Sequence, residues 1–314
     1  MSRQYTQILK SNLSNQNLND RGFSLVETLI SIAIGGLMLS GLLSSIFGYK
    51  SLYEKDLSRT QANSGVRSGL DFMGIHLRQA GEKLNSGFPA VLLNDGDGIV
   101  PDEIIIRKNI LDEIPKICVV ANSHHRRFKF ARDDRQGCAF ADTGDIYDAW
   151  SAYRIANGGV VKAYIYDTVD KVGQFFSYGS ETIEIDSDTG KETRYFTRES
   201  GTGTWGRRYR ENISFGFILE EWKFRVDSTN NTLQVILNEE ETNNIISGVE
   251  DLEIEIIMND GSVKTSFGVD DNWKKIQLIN VSLKVRATVG HESKTRTFSS
   301  SFYPRNILSE DLGL

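Results

Sequence analysis

Two cysteines, four histidines and a few clusters of charge are the raw material for chemistry in this 314-residue chain. Cys118 and Cys138 are its only cysteines. A disulfide and two free thiols are both open readings, and with His124 and His125 the pair also supplies metal-ligand types. The spacing matches no paired CxxC or HxxxH arrangement, which disfavours zinc. Arg126, Arg127, Lys129, Arg132 and Arg135, with Phe128 and Phe130 between them, form a basic cluster of the kind that touches phosphates or anionic surfaces. The plainer reading is a solvated strand or loop balanced by Asp133 and Asp134. Asp95-Gly96-Asp97-Gly98, followed by Asp102 and Glu103, is oxygen-rich but lacks the twelve-residue calcium pattern with its terminal Glu. A Gly-Asp turn is the plain reading, and calcium at Asp95 and Asp97 the sharper one. No triad order, nucleophile elbow or phosphate-binding glycine loop is recognisable, and Gly201-Thr202-Gly203-Thr204 reads as a turn. No enzyme and no cofactor are expected.

One charge sits where charge is costly. Glu27 follows Phe23-Ser24-Leu25-Val26 and precedes 22 uncharged positions, Thr28 to Tyr49. That run matches the roughly 20 residues a membrane-spanning helix needs. It is longer than the apolar part of a cleavable secretory signal and runs on into a helical pattern. A carboxylate at its edge calls for a positive partner or a place at headgroup level. Arg21 is the nearby cation, and a cut after Gly22 would add the new amino group of Phe23, from the same chain or a neighbour. Arg3, Lys10 and Arg21 against Asp20 make the upstream segment basic, which keeps that end cytoplasmic and sends the remainder across the membrane.

The composition agrees with a single anchor on a globular body. The chain is 39% hydrophobic and 25% charged, which excludes a disordered polymer. Its mean hydropathy of −0.32 excludes a polytopic membrane protein. A net charge of −6 and a pI near 5.4 argue against a general nucleic-acid binder and leave a local basic patch open.

Arg21-Gly22-Phe23-Ser24-Leu25-Val26-Glu27 ahead of an apolar helix closely resembles the class III signal of type IV pilins and type II secretion pseudopilins. The resemblance implies cleavage after Gly22 by a prepilin peptidase, N-methylation of Phe23, and docking of the subunit into a filament through Glu27. The leader is longer than many pilin leaders. The span also lacks the proline kink of many major pilins, offering Gly35, Gly36 and Gly41 as its soft points.

Beyond the span, Val66, Leu70, Met73, Leu77 and Ala80 recur at intervals of three and four, one face of a helix, with Gly81 at its end. Gly65, Gly69 and Gly74 weaken this half by roughly 1 kcal/mol each relative to Ala, unless close packing requires them. After Gly81 the hydrophobic period becomes two. Strands are expected at 103–107, 117–121, 160–166, 182–186, 194–198, 214–226, 232–237, 249–258, 276–287 and 295–302. Turn chemistry lies at 186–190, 227–231 and 259–262.

The fold expected is α+β: a long N-terminal helix packed on a large antiparallel β-rich head. Its parts are a leader at 1–22, a membrane helix at 23–49, an amphipathic continuation at 50–81, and a head at 82–314 large enough for two subdomains. The strings 246–255, 281–286 and Arg296 through Asn306, with Leu77-Arg78-Gln79-Ala80-Gly81, are similar to segments of PilW-type minor pilins. Residues 110–210 match nothing recognisable. The resemblance implies a minor pilin of the type IV pilus in an assembly-initiation or tip complex, serving motility, adhesion or DNA uptake. The alternatives are a J-type pseudopilin of type II secretion and a tip adhesin or DNA-binding module. Partners would be other minor and major pilins, prepilin peptidase and the inner-membrane assembly platform. The protein would start in the inner membrane with its head in the periplasm and end in the pilus.

Overall fold

The computed structural model describes residues 24–122, 124–132, 143–201, 204–289 and 292–308. It contains a helix α1 (Leu25–Gln79), a second helix α2 (Thr143–Ala156) and fourteen strands. The chain divides into two compact units, with the boundary inside α1 between Leu57 and Ser58. In the first unit, Leu25–Leu57 holds an 18-residue window of mean hydropathy 2.0, none of it buried, and no charged residue stands between Glu27 and Lys50. Length and composition suit a membrane-crossing helix.

In the second unit the same helix becomes one-sided. Val66, Leu70, Met73, Leu77 and Ala80 are all buried in one apolar core. Two antiparallel sheets supply the rest of that core. One has the order β1-β2-β8-β9-β10, from β1 (Val91–Asn94), β2 (Glu103–Asn109), β8 (Leu219–Asp227), β9 (Thr232–Leu237) and β10 (Glu241–Ser247). The other has the order β12-β11-β13-β14, from β11 (Val249–Met258), β12 (Val263–Lys264), β13 (Ile276–Val289) and β14 (Glu292–Phe302). Alternate residues Leu252, Ile254 and Ile256 on β11 and Val281, Leu283 and Val285 on β13 face the helix side, as a half-buried strand requires.

Gly69 and Gly74 are close-packing glycines. A Cβ on Gly69 would lie 2.2 Å from Ile246 Cδ1, and one on Gly74 would lie 2.3 Å from the Phe302 ring. Gly65 faces open space, so close packing does not explain it. The helix stops at Gly81, whose φ of +76° suits glycine. Its last carbonyls are not left orphaned. The Asn306 amide donates to Gln79 and Ala80 at 3.3 and 3.2 Å, and the Arg305 N–H donates to Arg78 at 3.0 Å. The closing Arg305-Asn306 pair is therefore the C-terminal cap of a helix more than 220 positions earlier.

Residues 110–218 form a lobe inserted between two neighbouring strands. β2 and β8 pair directly, Asn109 opposite Leu219, and the Ile110 N–H donates to the Ile218 carbonyl at 2.9 Å. The lobe's sheet has the order β3-β6-β5-β4-β7, from β3 (Arg127–Arg132), β4 (Val161–Asp167), β5 (Val172–Ile185), β6 (Glu192–Arg198) and β7 (Ser214–Phe217). A second core, rich in aromatics, includes Phe128, Phe130, Trp150, Phe176, Tyr178, Phe196 and Trp205. Helix α2 is tied to β5 by a bidentate pair, Arg154 to Glu181 at 2.9 and 2.7 Å. Burial pushes the Glu181 carboxyl up, but bonds from Arg154, Ser151 and Tyr178 more than offset this and hold it below the usual carboxylate range. Strand β4 faces both cores, Ala163 and Ile165 toward the second and Tyr164 and Tyr166 toward the first.

Most expected strands are present, several of them longer than anticipated. Segment 117–121 differs: it is no strand and makes isolated bridges, Val119 to Lys129 and Ala121 to Tyr209. The expected single strand at 214–226 breaks at Ile218, where the chain leaves the lobe. Helix α2 and strands β1, β10 and β12 were not anticipated, and the basic segment is a strand, β3, over Arg127–Arg132.

His76 of α1 stacks on Trp222 of β8 with ring centroids 3.7 Å apart, beside Phe72. Burial lowers its pKa from 6.5 to about 4, with Glu220 opposing and Lys108 adding to the effect. The unfolded chain therefore takes up this proton first as pH falls below 6.5, and stability falls on acidification toward pH 4. We predict that the full chain in detergent micelles loses more stability between pH 7 and pH 5 than its His76→Phe variant, by at most about 1.4 kcal/mol per pH unit in urea titrations. Equal losses would contradict a buried neutral imidazole. Gly74→Ala is predicted to destabilise by about 1–3 kcal/mol through overpacking, whereas Gly65→Ala is neutral or stabilising by up to about 1 kcal/mol. The same titrations check both.

Candidate functional site

Ser24 opens α1. Its hydroxyl accepts the Val26 N–H at 3.2 Å, and its carbonyl accepts those of Glu27 and Thr28 at 2.9 and 3.1 Å. Ser24 is thus the N-cap, and Glu27, three residues on, stands in the first turn. The Ser-x-x-Glu spacing that marks a capping box was legible in the sequence and went unused. The helix dipole favours a carboxylate at this end. Glu27 is solvent-exposed, and its carboxylate has no partner among the described residues. Ser31 and Ser45 return their hydroxyls to the carbonyls of Glu27 and Gly41 at 2.8 and 3.0 Å, so these polar side chains are satisfied within an apolar helix. The expected cleavage residues Gly22 and Phe23 lie outside the described residues.

The remaining candidate residues fall in the head. Cys118 is buried and disulfide-bonded. A bonded sulfur is no thiolate ligand, so Cys118 has none to offer a metal. Cys138 lies outside the described residues, and no group of three or more His, Cys, Asp or Glu among those described is placed to hold a metal ion. In the acidic loop, Asp102 turns both carboxylate oxygens to backbone, accepting the N–H of Gly96 at 3.0 Å and of Ile254 at 2.7 Å. Asp95 accepts the Asp97 N–H at 2.8 Å and is held below the usual carboxylate range first by Thr265 and then by that bond. This is the geometry of a turn pinned to β11.

Phe128 and Phe130 of the basic segment point into the second core, while Arg126 and Arg127 are exposed and Lys129 is half-buried. Arg127 pairs with Glu184 and lies 4.1 Å above the Tyr195 ring. Arg132 ends β3, and the side chain of Arg132, like Arg135, is outside the described residues. The candidate residues thus do not converge on one site. Glu27 stands at the helix start, Asp95 and Asp97 beside β1, and Cys118 and the basic segment on the inserted lobe.

The first of these places matches a known family. A profile described as the prokaryotic N-terminal methylation motif matches residues 17–43, which covers the basic flank, the Gly22-Phe23 junction, Glu27 and most of the apolar run. No curated protein matches the chain. The chain therefore carries a class III prepilin-type signal ahead of an apolar helix, the mark of type IV pilin-like and pseudopilin proteins. That class is structural and membrane-anchored, is processed by prepilin peptidase, and assembles with other pilins.

Proposed function

We propose that this chain is a PilW-type minor pilin of the type IV pilus, acting in the complex that initiates assembly and occupies the filament tip. The observation that carries the reading is the methylation-motif match on a helix whose later half is the structural spine of a β-rich head. Prepilin peptidase would cut between Gly22 and Phe23 on the cytoplasmic side and methylate Phe23. The exposed Glu27 carboxylate would then pair with a Phe23 amino group, its own or a neighbour's. In lipid that attraction is little screened, so it selects the position of the incoming subunit. The span lets the subunit wait in the inner membrane with its head in the periplasm until the assembly platform extracts it toward the cell surface. Pilins carrying the same anchor would be its partners, and the reading requires no catalytic step and no cofactor.

Glu27→Leu separates anchoring from docking. The variant is predicted to remain in the membrane, because its helix becomes more apolar, and to disappear from sheared pili. Normal incorporation of Glu27→Leu would contradict the docking role. Failure of type II secretion with normal piliation on deletion would assign the chain to the J-type pseudopilins instead.

A further inference from the structure

Among the described residues, the three sheets end in six edge strands, and five of these are covered, short or irregular. In β1, Leu93 exchanges both backbone bonds with Phe267, at 2.8 and 2.9 Å. On the lobe, the Cys118 N–H donates to the Lys129 carbonyl of β3 at 2.8 Å, and the Gly216 N–H of β7 donates to the Pro115 carbonyl at 2.8 Å. β12 has two residues. β10 begins in the acidic run Glu239–Glu241 and slips register between Asn244 and Ile246. Cover, shortness, bulges and charge are the usual ways of blunting an edge.

β14 is the sixth, and it is not blunted. It pairs with β13 over its 11 residues, from Glu292 opposite Val289 to Phe302 opposite Ile279, with no shift of register. It has no proline, and no charge from Thr297 to Phe302. No backbone bond from a described residue reaches its outer side. The Arg286 N–H of β13 donates to the Gly248 carbonyl at 2.8 Å, so the even-numbered residues of β13 aim at β11 and the odd-numbered ones at β14. On β14 the outward backbone groups are therefore those of Thr295, Thr297, Ser299 and Ser301, a donor and an acceptor at each, repeating about every 7 Å.

The side chains do not cap this row. The Ser299 hydroxyl shares a bond with that of Ser282 at 2.8 Å, Ser301 donates to Asn280 at 2.7 Å, and Thr295 donates to Glu250 at 3.3 Å, all back across the sheet. The opposite face of β14 looks toward the core. Phe302 is buried there against Gly74 of α1, and Phe298 is half-buried. Arg296 lies on that same face by alternation, exposed and with no acidic partner among the described residues.

We infer that β14 is a docking edge that takes an extended strand of another polypeptide as the fifth strand of its sheet. An antiparallel strand continues the pattern of the sheet. The edge sets what that strand must carry: an apolar residue beside Phe298, an acidic one beside Arg296, and small or polar residues beside Thr297 and Ser299. A second copy of β14 does not meet this requirement. Its sole acid is Glu292, and setting that opposite Arg296 puts Thr297 against the partner's hairpin loop and leaves the residues up to Phe302 unpaired. This inference rests on the head alone and does not depend on the pilin reading.

The test is fluorescence anisotropy of a labelled peptide of about nine alternating valine and threonine residues, with glutamate at the position that meets Arg296, added to the full chain in detergent micelles at low ionic strength. The peptide should bind with a Kd below about 1 mM and at least about three-fold tighter than the same peptide with lysine in place of glutamate. Arg296→Glu should reverse that order. Ser299→Pro removes an outward N–H and leaves the ladder to β13 intact, so it should weaken both peptides at least about five-fold with little change in melting temperature. In membranes of the native host, a photo-crosslinking side chain in place of Ser299 should join another polypeptide at a segment with this alternation and acid. No peptide binding at about 1 mM, an order of affinities that Arg296→Glu leaves unchanged, full binding by Ser299→Pro, or a crosslink to a second copy or to residues 309–314 of the same chain would overturn the proposal.

Discussion

The apolar stripe of Val66, Leu70, Met73, Leu77 and Ala80 cannot be left in water, and most of the head is arranged to cover it. Two sheets meet on this stripe, β11 and β13 from one and β8 and β9 from the other, and their inward residues are continuous with it in one core. Gly69 and Gly74 allow the contact, because any side chain there would collide with Ile246 or Phe302. Arg305 and Asn306 close the helix end from the far terminus. The core would lose its central element if this half of the helix detached.

The sequence of α1 changes character along its length. From Thr28 to Tyr49 it carries no charge on any side, a pattern suited to lipid or to other helices. From Val66 it is apolar on one face only. The polar departures in the first half are of two kinds. Ser31 and Ser45 return their hydroxyls to helix carbonyls and cost little, whereas Glu27 stands in the first turn with no partner among the described residues. The methylation-motif match falls on this same stretch, which ties this carboxylate to the processing signal just ahead of it.

How much of this was legible varied with how local the cause was. The helix was readable to within a residue or two, because its uncharged run and its three-four spacing are properties of neighbouring residues. In the stripe-covering sheets, β2, β8, β9, β11, β13 and β14 were readable from their alternation and from the Asp227–Asn231 turn, where Asp227 accepts the Thr229 N–H, whereas the edge strands β1, β10 and β12 were not. The inserted lobe was legible only in part: β4, β6 and the end of β5 were expected, but their pairing, helix α2 and strand β3 as a sheet edge were not. Strand β4 is buried on both faces, so Val161-Lys162-Ala163-Tyr164-Ile165-Tyr166 does not show which face meets which core, and its second partner, β7, comes from a distant position. Helix α2 presents few apolar residues at regular spacing, and it is held to β5 by the Arg154–Glu181 pair, which only the tertiary fold creates. The same holds for the free edge of β14: the strand was visible, but nothing local shows that its outer side is left unpaired.

The account turns on the amino-terminal signal being used, and the most direct measurement is mass spectrometry of the amino-terminal peptide of the protein isolated from membranes of its native host. A peptide beginning at Phe23 and carrying one methyl group is the predicted result. An intact Met1 terminus, or a terminus created downstream of the apolar run, would contradict it.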